Sequence, residues 1–264
     1  MSAKAISVNT LSIQDSNYLV SEIVYRNIPS KSINILQKSR NDGFIFQNSY
    51  YTDKTITISG FVSDTSEALL KVRIDTLKEY LSADTFNIDI DDGGTTVRYV
   101  GSLESLSIPE KYYSITTVPF TMTLKCQPFG KLTSATTSTN SIEAATYTAS
   151  INPTGSIAPK PSLKWACSTM PTSAITQIVF ANSTTGDTIT VPSLAMDASG
   201  DYLKIDTDTM TVEVSHDGGA ATAIDYTGVL PSFAIGSNSY SVTVTGGGAS
   251  WKLLQTVSYY PTYL

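Results

Sequence analysis

Apolar and polar residues alternate over residues 54–62, KTITISGFV, placing Ile56, Ile58 and Val62 on one face and Thr55, Thr57 and Ser59 on the other. A period of two predicts a half-buried strand, because successive strand side chains point to opposite faces. The period then changes. Asp64 followed by Glu67 reads as a helix start, a capping carboxylate with a glutamate three positions on. From there to about Ala83, Leu69, Val72, Leu77, Tyr80 and Leu81 fall near one side, and Lys71, Asp75, Lys78 and Glu79 cover much of the other. The pattern predicts one α-helix over residues 65–83, about 25–30 Å long at about 1.5 Å per residue.

Strand patterning resumes at once. TFNIDI (85–90) runs into Asp91-Asp92-Gly93-Gly94, a hairpin-turn signal because glycine accepts positive φ, and VRYVGSLESL (97–106) returns. In SITTVPFTMTLKC (114–126), Val118, Phe120, Met122, Leu124 and Cys126 alternate with Thr117, Pro119, Thr121, Thr123 and Lys125. Proline cannot donate to a ladder, so this strand is expected at an edge or bulged at Pro119. Residues 131–150 are rich in Thr and Ser, and Pro153, Gly155, Pro159 and Pro161 follow. The stretch 131–161 therefore reads as a junction, partly extended, with room for a first strand of the next domain.

Short strands are expected beyond it at 162–167, 175–181, 187–191, 202–206, 209–215, 239–245 and 250–259. Turn signals separate them, among them Thr185-Gly186-Asp187, Ser199-Gly200-Asp201, Asp217-Gly218-Gly219 and Gly246-Gly247-Gly248. No stretch there keeps a helical period. The fold class expected is mainly β: an N-terminal β-sandwich-like domain with one helix (1–130), the junction (131–161) and a C-terminal antiparallel β-sandwich (162–264).

Composition narrows the function. Of 264 residues 41% are hydrophobic, enough for a sizeable core, and no apolar run approaches the roughly 20 residues of a membrane-spanning helix. The opening MSAKAISVNTLSI lacks a basic segment followed by an apolar stretch, so no secretory leader and no membrane insertion are expected, and synthesis in the cytoplasm is. A net charge of −6 argues against tight nucleic-acid binding, which needs clustered Lys and Arg. Arg26, Arg40, Arg73 and Arg98 are the only arginines, and from residue 131 on the basic residues are five lysines. That shift in composition favours two domains.

Candidate chemistry is sparse. Cys126 and Cys167 sit in apolar strand-like runs and read as buried thiols, and the lone His216 leaves zinc without its usual partners. Asp89, Asp91 and Asp92 offer carboxylates for calcium but lack the remaining spaced ligands, so a tight turn is the better reading, as it is for Asp206 and Asp208. Gly246–Gly248 lacks the Lys and helix start of a phosphate loop and reads as a hairpin turn. His216, in VSHDGG, has no G-x-S-x-G elbow to serve. No catalytic residue, metal site or cofactor is assigned, and an enzyme is not expected. Among the aromatics, Trp165, Trp251, Tyr202, Tyr226, Tyr240, Tyr259, Tyr260 and Tyr263 are candidates to stack on sugar rings. Trp165 alternates with Leu163 and Cys167, and Trp251 with Leu253, which points both indoles to the core instead.

The order of elements from KTITISGFV through SEALLKVRIDTLKEYL, FNIDI, DDGG and RYVGSLESL to VPFTMTLKCQPFG (118–130) resembles the N-terminal domain of siphophage distal tail proteins, called Dit, including a closing phrase similar to "F-x-C-x-P-F". PSFAIGSNSYSVTVTGGGASWKLLQTVSYYPTYL (231–264) is similar to that family's end: a "G-x-N" at Ile235, Gly236 and Asn238, a strand, a glycine turn and an aromatic-rich last strand, here without the arginine common in the family. Residues 1–53 fit loosely. The resemblance implies a homo-hexameric ring of N-terminal domains at the virion tail tip, between the tail tube protein and the tail-tip hub protein, with a lumen for DNA. It further implies a galectin-like or carbohydrate-binding-module-like second domain that carries receptor-binding proteins or touches host surface glycans. The alternative is a glycan-binding adhesin-type sandwich of a tail or cell surface.

Overall fold

The computed structural model describes residues 6–38, 44–109 and 114–264. The chain forms two compact units, one up to Thr133 and one over Ser134–Tyr263.

The first unit contains β1 (Ile6–Val8), β2 (Leu11–Ser12), β3 (Tyr18–Val24), β4 (Lys31–Gln37), β5 (Phe44–Tyr51), β6 (Lys54–Ser63), α1 (Glu67–Leu81), β7 (Phe86–Asp91), β8 (Thr96–Ser107), β9 (Thr117–Cys126) and β10 (Gly130–Leu132). Its main sheet runs β2-β1-β7-β8-β9-β6-β3, all antiparallel, and β10 pairs with β8 through Lys131↔Arg98 and Leu132↔Val97. Period-two patterning decides what faces inward. Ile56, Ile58 and Val62 of β6, Phe86, Ile88 and Ile90 of β7, and Val118, Phe120, Met122 and Leu124 of β9 are buried.

Pro119 sits within an inner strand rather than at a sheet edge, because β9 pairs with both β6 and β8. It is tolerated by overhang: the register with β8 stops at Ser107↔Thr121, so the side of Pro119 turned from β6 meets no ladder partner among the described residues.

Helix α1 packs against β6, and Leu70, Leu77 and Leu81 form its inner stripe. Burying each such leucine contributes about 1.5–3 kcal/mol. Leu69 and Val72, expected on that face, are 47% and 58% exposed. At about 100° per residue, Leu69 lies a quarter turn from the stripe and Val72 nearly opposite Leu70. The N-cap is Ser66, whose Oγ accepts from Leu69 N at 3.4 Å, rather than Asp64. Asp64 instead accepts from Arg73 Nε (2.9 Å) and Thr65 N (2.6 Å), and Arg73 first of these holds its carboxyl below the ordinary range. Tyr18 Oη donates to the Arg73 carbonyl and Asn9 Nδ2 to that of Tyr80, tying the helix to the sheet.

Strands β4 and β5 form a separate two-stranded ribbon inserted between β3 and β6, which are themselves neighbours in the main sheet. Its base is pinned by Ser30 N donating to the Asp53 carbonyl and Thr52 N to that of Ser30.

The second unit contains β11 (Thr136–Ile142), β12 (Thr146–Ile151), β13 (Ser162–Thr169), β14 (Ile175–Asn182), β15 (Thr188–Met196), β16 (Tyr202–Asp206), β17 (Thr211–Ser215), β18 (Thr222–Ala223), β19 (Thr227–Gly228), β20 (Asn238–Gly246), β21 (Lys252–Tyr259) and β22 (Thr262–Tyr263). One sheet runs β11-β21-β13-β16-β17-β18 and the other β12-β20-β14-β15-β19. Their inner faces share a core that includes Trp165, Phe180, Phe233, Tyr240 and Val257. The stretch 131–161, expected as a junction, supplies β11 and β12, one edge strand to each sheet. Their Thr- and Ser-rich sequences suit edges that bury little: Ile142 is the only fully buried side chain of the two.

Candidate functional site

The acidic candidates of the first unit are all engaged, each with a different partner. Asp89 lies opposite Arg98 across the β7–β8 ladder and takes two hydrogen bonds from its guanidinium, both at 2.7 Å. Asp91 Oδ1 accepts Gly94 N and shapes the turn, while Asp92 pairs with Arg26 at 2.9 Å and accepts from Tyr25 Oη. A calcium ion needs converging oxygens, and these three diverge. In the second unit Asp206 accepts from Asp208 N and Thr209 N, closing the β16–β17 hairpin, and Asp208 pairs with Lys160 at 3.2 Å. Among the described residues no group of three or more His, Cys, Asp or Glu converges as metal ligands would.

His216 Nδ1 lies 3.6 Å from Asp201 Oδ2, but this carboxylate is structural. Asp201 is fully buried and accepts from the backbone N–H groups of Asp197, Ala198 and Asp217, joining the ends of β15, β16 and β17. Burial works to raise its pKa, yet the backbone donors prevail and hold it below the ordinary value. Cys126 and Cys167 are buried free thiols, pushed up by desolvation to about 12 and about 11, which leaves no reactive thiolate at neutral pH. Lys54, unremarked in the sequence, is buried with its Nζ 3.4 Å from Tyr99 Oη and over that ring, and desolvation lowers its pKa.

The aromatic candidates divide the same way. Trp165, Trp251, Tyr240 and Tyr259 are buried, and Lys164 Nζ lies 4.0 Å from the centre of the Tyr202 ring. Only Tyr226 and Tyr260 of the eight are exposed. The glycines 246–248 do not close a hairpin: they carry the chain from β20 in one sheet to β21 in the other. Gly247 (φ +84°) packs on Trp251, where a Cβ would meet the indole at 2.6 Å. Asn238 of the "G-x-N" phrase is likewise structural. Fully buried, it accepts from Ala234 N and donates to the carbonyls of Ala234 and Gly236, clamping the turn before β20. A shallow cleft of about 380 Å³ on the β12–β20–β14–β15 sheet is lined by Thr148, Asn182, Ser183, Thr188, Ser239 and Ser241 among others, with no charged group.

The ribbon differs in kind from these sites. Ile33, Ile35, Leu36, Phe44, Ile45, Phe46 and Tyr50 are each 49–57% exposed. The pairing 33↔49, 35↔46, 37↔44 sets Ile33, Ile35, Phe44 and Phe46 on one face, leaving Leu36, Ile45 and Tyr50 on the other. At the end of the main sheet, Leu19, Glu22 and Val24 of β3 share an outward face with Phe61 of β6, and all four are exposed. The sequence reading placed no strands in this region. The available signal was Phe44-Ile45-Phe46, consecutive apolar residues that leave neither face polar and so mark a strand to be covered on both sides.

No family model matches the chain, and no curated protein matches it. Among solved structures, the SPP1 Dit protein (gp 19.1), described as a paradigm of the hub adsorption apparatus in phages infecting Gram-positive hosts, has the same fold: TM-score 0.73 at 16% identity, covering 99% of each chain. A chain of the phage P2 baseplate, in its activated conformation with Ca, matches at TM-score 0.46 and 10% identity, covering 96% of this chain and 97% of the other.

Proposed function

We propose that the chain is a structural subunit of a siphophage tail tip, a distal tail protein whose N-terminal units close into a ring of six. The observation that carries this reading is the likeness in fold to the SPP1 Dit protein over 99% of each chain. The exposed apolar ribbon supports it, since a surface of that kind marks a protein that works in association. In this role the ring lies at the virion tail tip, between the tail tube protein and the tail-tip hub protein, after assembly in the host cytoplasm. The second unit serves to carry receptor-binding proteins or to touch host glycans. A net charge of −6 suits a DNA conduit, because a basic lumen would hold the genome through released counterions. The role proposed is mechanical rather than enzymatic, in keeping with the folding contacts of Asp89, Asp91, Asp201 and Asp206 and the burial of Cys126 and Cys167.

The glycan-adhesin reading is weaker. Its best stacking candidates, Trp165 and Trp251, are buried in the core. Electron micrographs of the purified full chain test the proposal. Sixfold rings with peripheral lobes are expected; single particles the size of one chain, with or without tail tube and hub proteins added, would overturn it.

A further inference from the structure

We propose that the core of the second unit holds one ordered water between β13 and β21, hydrogen-bonded by Trp165 Nε1 and Gln255 Nε2, and that this water completes a polar relay fixing the register of the edge strand β11. The inference is independent of the ring reading. Trp165 and Gln255 lie directly opposite in the β13–β21 pairing, and both side chains are fully buried. Among the described residues no protein group accepts from either nitrogen. Opposed residues on one face of paired strands have Cβ atoms about 4.5–5.5 Å apart, so one small acceptor can touch both donors. A buried donor with no acceptor lowers the folding equilibrium roughly tenfold or more, and here two stand side by side. Native cores avoid that penalty by supplying an acceptor, protein or water.

The other contacts of the amide set its direction. Asn140 Nδ2 donates to Tyr240 Oη at 3.2 Å, and Tyr240 Oη donates to Gln255 Oε1 at 3.2 Å. Desolvation pushes the Tyr240 phenol up to about 12, so it keeps that proton at neutral pH. Turning the amide round would set its N–H against a phenol whose own proton then had no acceptor. Nε2 therefore points away from Tyr240. Water suits the site better than an anion, because the core that contains Trp165 is built of apolar side chains and offers no cation to balance a charge. The relay crosses the sandwich, from β11 to β20 in the facing sheet and back to β21 and β13. It gives a glutamine in this core a purpose. At the inner positions of β11 only Ile142 is apolar, with Ser138 and Asn140 before it, so apolar burial fixes its register weakly. Asn140 lies opposite Gln255, and a slip of one residue would turn it to the other face and break the relay.

Crystals of the full chain, at a resolution that shows ordered water, test the site. The expected result is a density peak refining as water about 2.7–3.2 Å from both nitrogens, lost in Gln255→Met. Should that variant fail to fold, Trp165→Phe leaves the relay intact and is expected to hold one long-lived interior water fewer than wild type, read in solution by oxygen-17 relaxation dispersion. A wild type with no peak there, with either nitrogen on a protein acceptor, or with a peak that bromide replaces on soaking (a halide), overturns the water site. The register role is read by amide hydrogen exchange. Asn140→Ala is expected to speed exchange along β11 roughly fivefold or more while β14 keeps its wild-type rates. Equal rates along β11 in variant and wild type would overturn that role.

Discussion

Side chains that resemble chemistry in this chain are occupied with folding, and Asp201 is the clearest case. Its carboxylate replaces water with three backbone N–H groups from two segments, and a charged acceptor in such a place is worth more than a neutral one. Asp201→Asn is expected to cost about 2–3 kcal/mol at pH 7, because an amide cannot accept on both of its polar atoms and leaves a buried donor unpaired. The urea midpoint reads this directly, and an unchanged midpoint would refute it. The pH dependence has a definite sign. The folded carboxyl titrates below its ordinary 3.8, so its stabilisation is complete above about pH 4 and is lost as pH falls through the depressed value. The gap between wild type and Asp201→Asn is therefore expected to close on acidification and to persist toward pH 8.

Helix α1 shows how a correct element can carry an incorrect face. Its existence and length are legible, from an acidic first turn at Glu67 to Lys78 in the last. Its orientation is decided by a stripe of Leu70, Leu77 and Leu81, whereas averaging all apolar positions drew in Leu69 and Val72. Leu77→Ala is expected to destabilise by about 2–5 kcal/mol through the cavity it leaves. Leu69→Ala is expected to change stability by less than about 0.5 kcal/mol, as a surface position does. Equal effects in thermal or chemical unfolding would place the helix face wrongly. The cost of leaving Leu69 and Val72 in water is modest for single side chains and needs no partner. The ribbon is a different case, with seven such residues over its two faces.

Both tryptophans, Trp165 and Trp251, belong to the second unit, so intrinsic tryptophan emission reports on that unit alone. A chain of residues 134–264 is expected to fold by itself, with blue-shifted emission and cooperative urea unfolding, because it owns both sheets and the core between them. Emission typical of exposed indole in that fragment would show that the unit needs the rest of the chain. The proposed ring, in contrast, is a matter for the first unit, where the exposed apolar ribbon lies.

Local pattern alone determined the strands whose two faces differ. β6, β9, β13 and β16 alternate cleanly because one face meets a core and the other meets water, and the turns at Asp91–Gly94 and Asp206–Thr209 follow from residues that favour tight geometry. Tertiary structure decided what depends on distant neighbours. β11 was hidden because its inner positions before Ile142 hold the polar Ser138 and Asn140, whereas β12 does alternate, with Tyr147, Ala149 and Ile151 turned to the core; Gly246–Gly248 crosses between sheets because β20 and β21 find different partners. Lys54 occupies an inward position of β6 that apolar patterning would have given to another residue type. The ribbon was illegible for the deepest reason: a period is imposed by what covers a strand, and among the described residues most of β4 and β5 stays exposed.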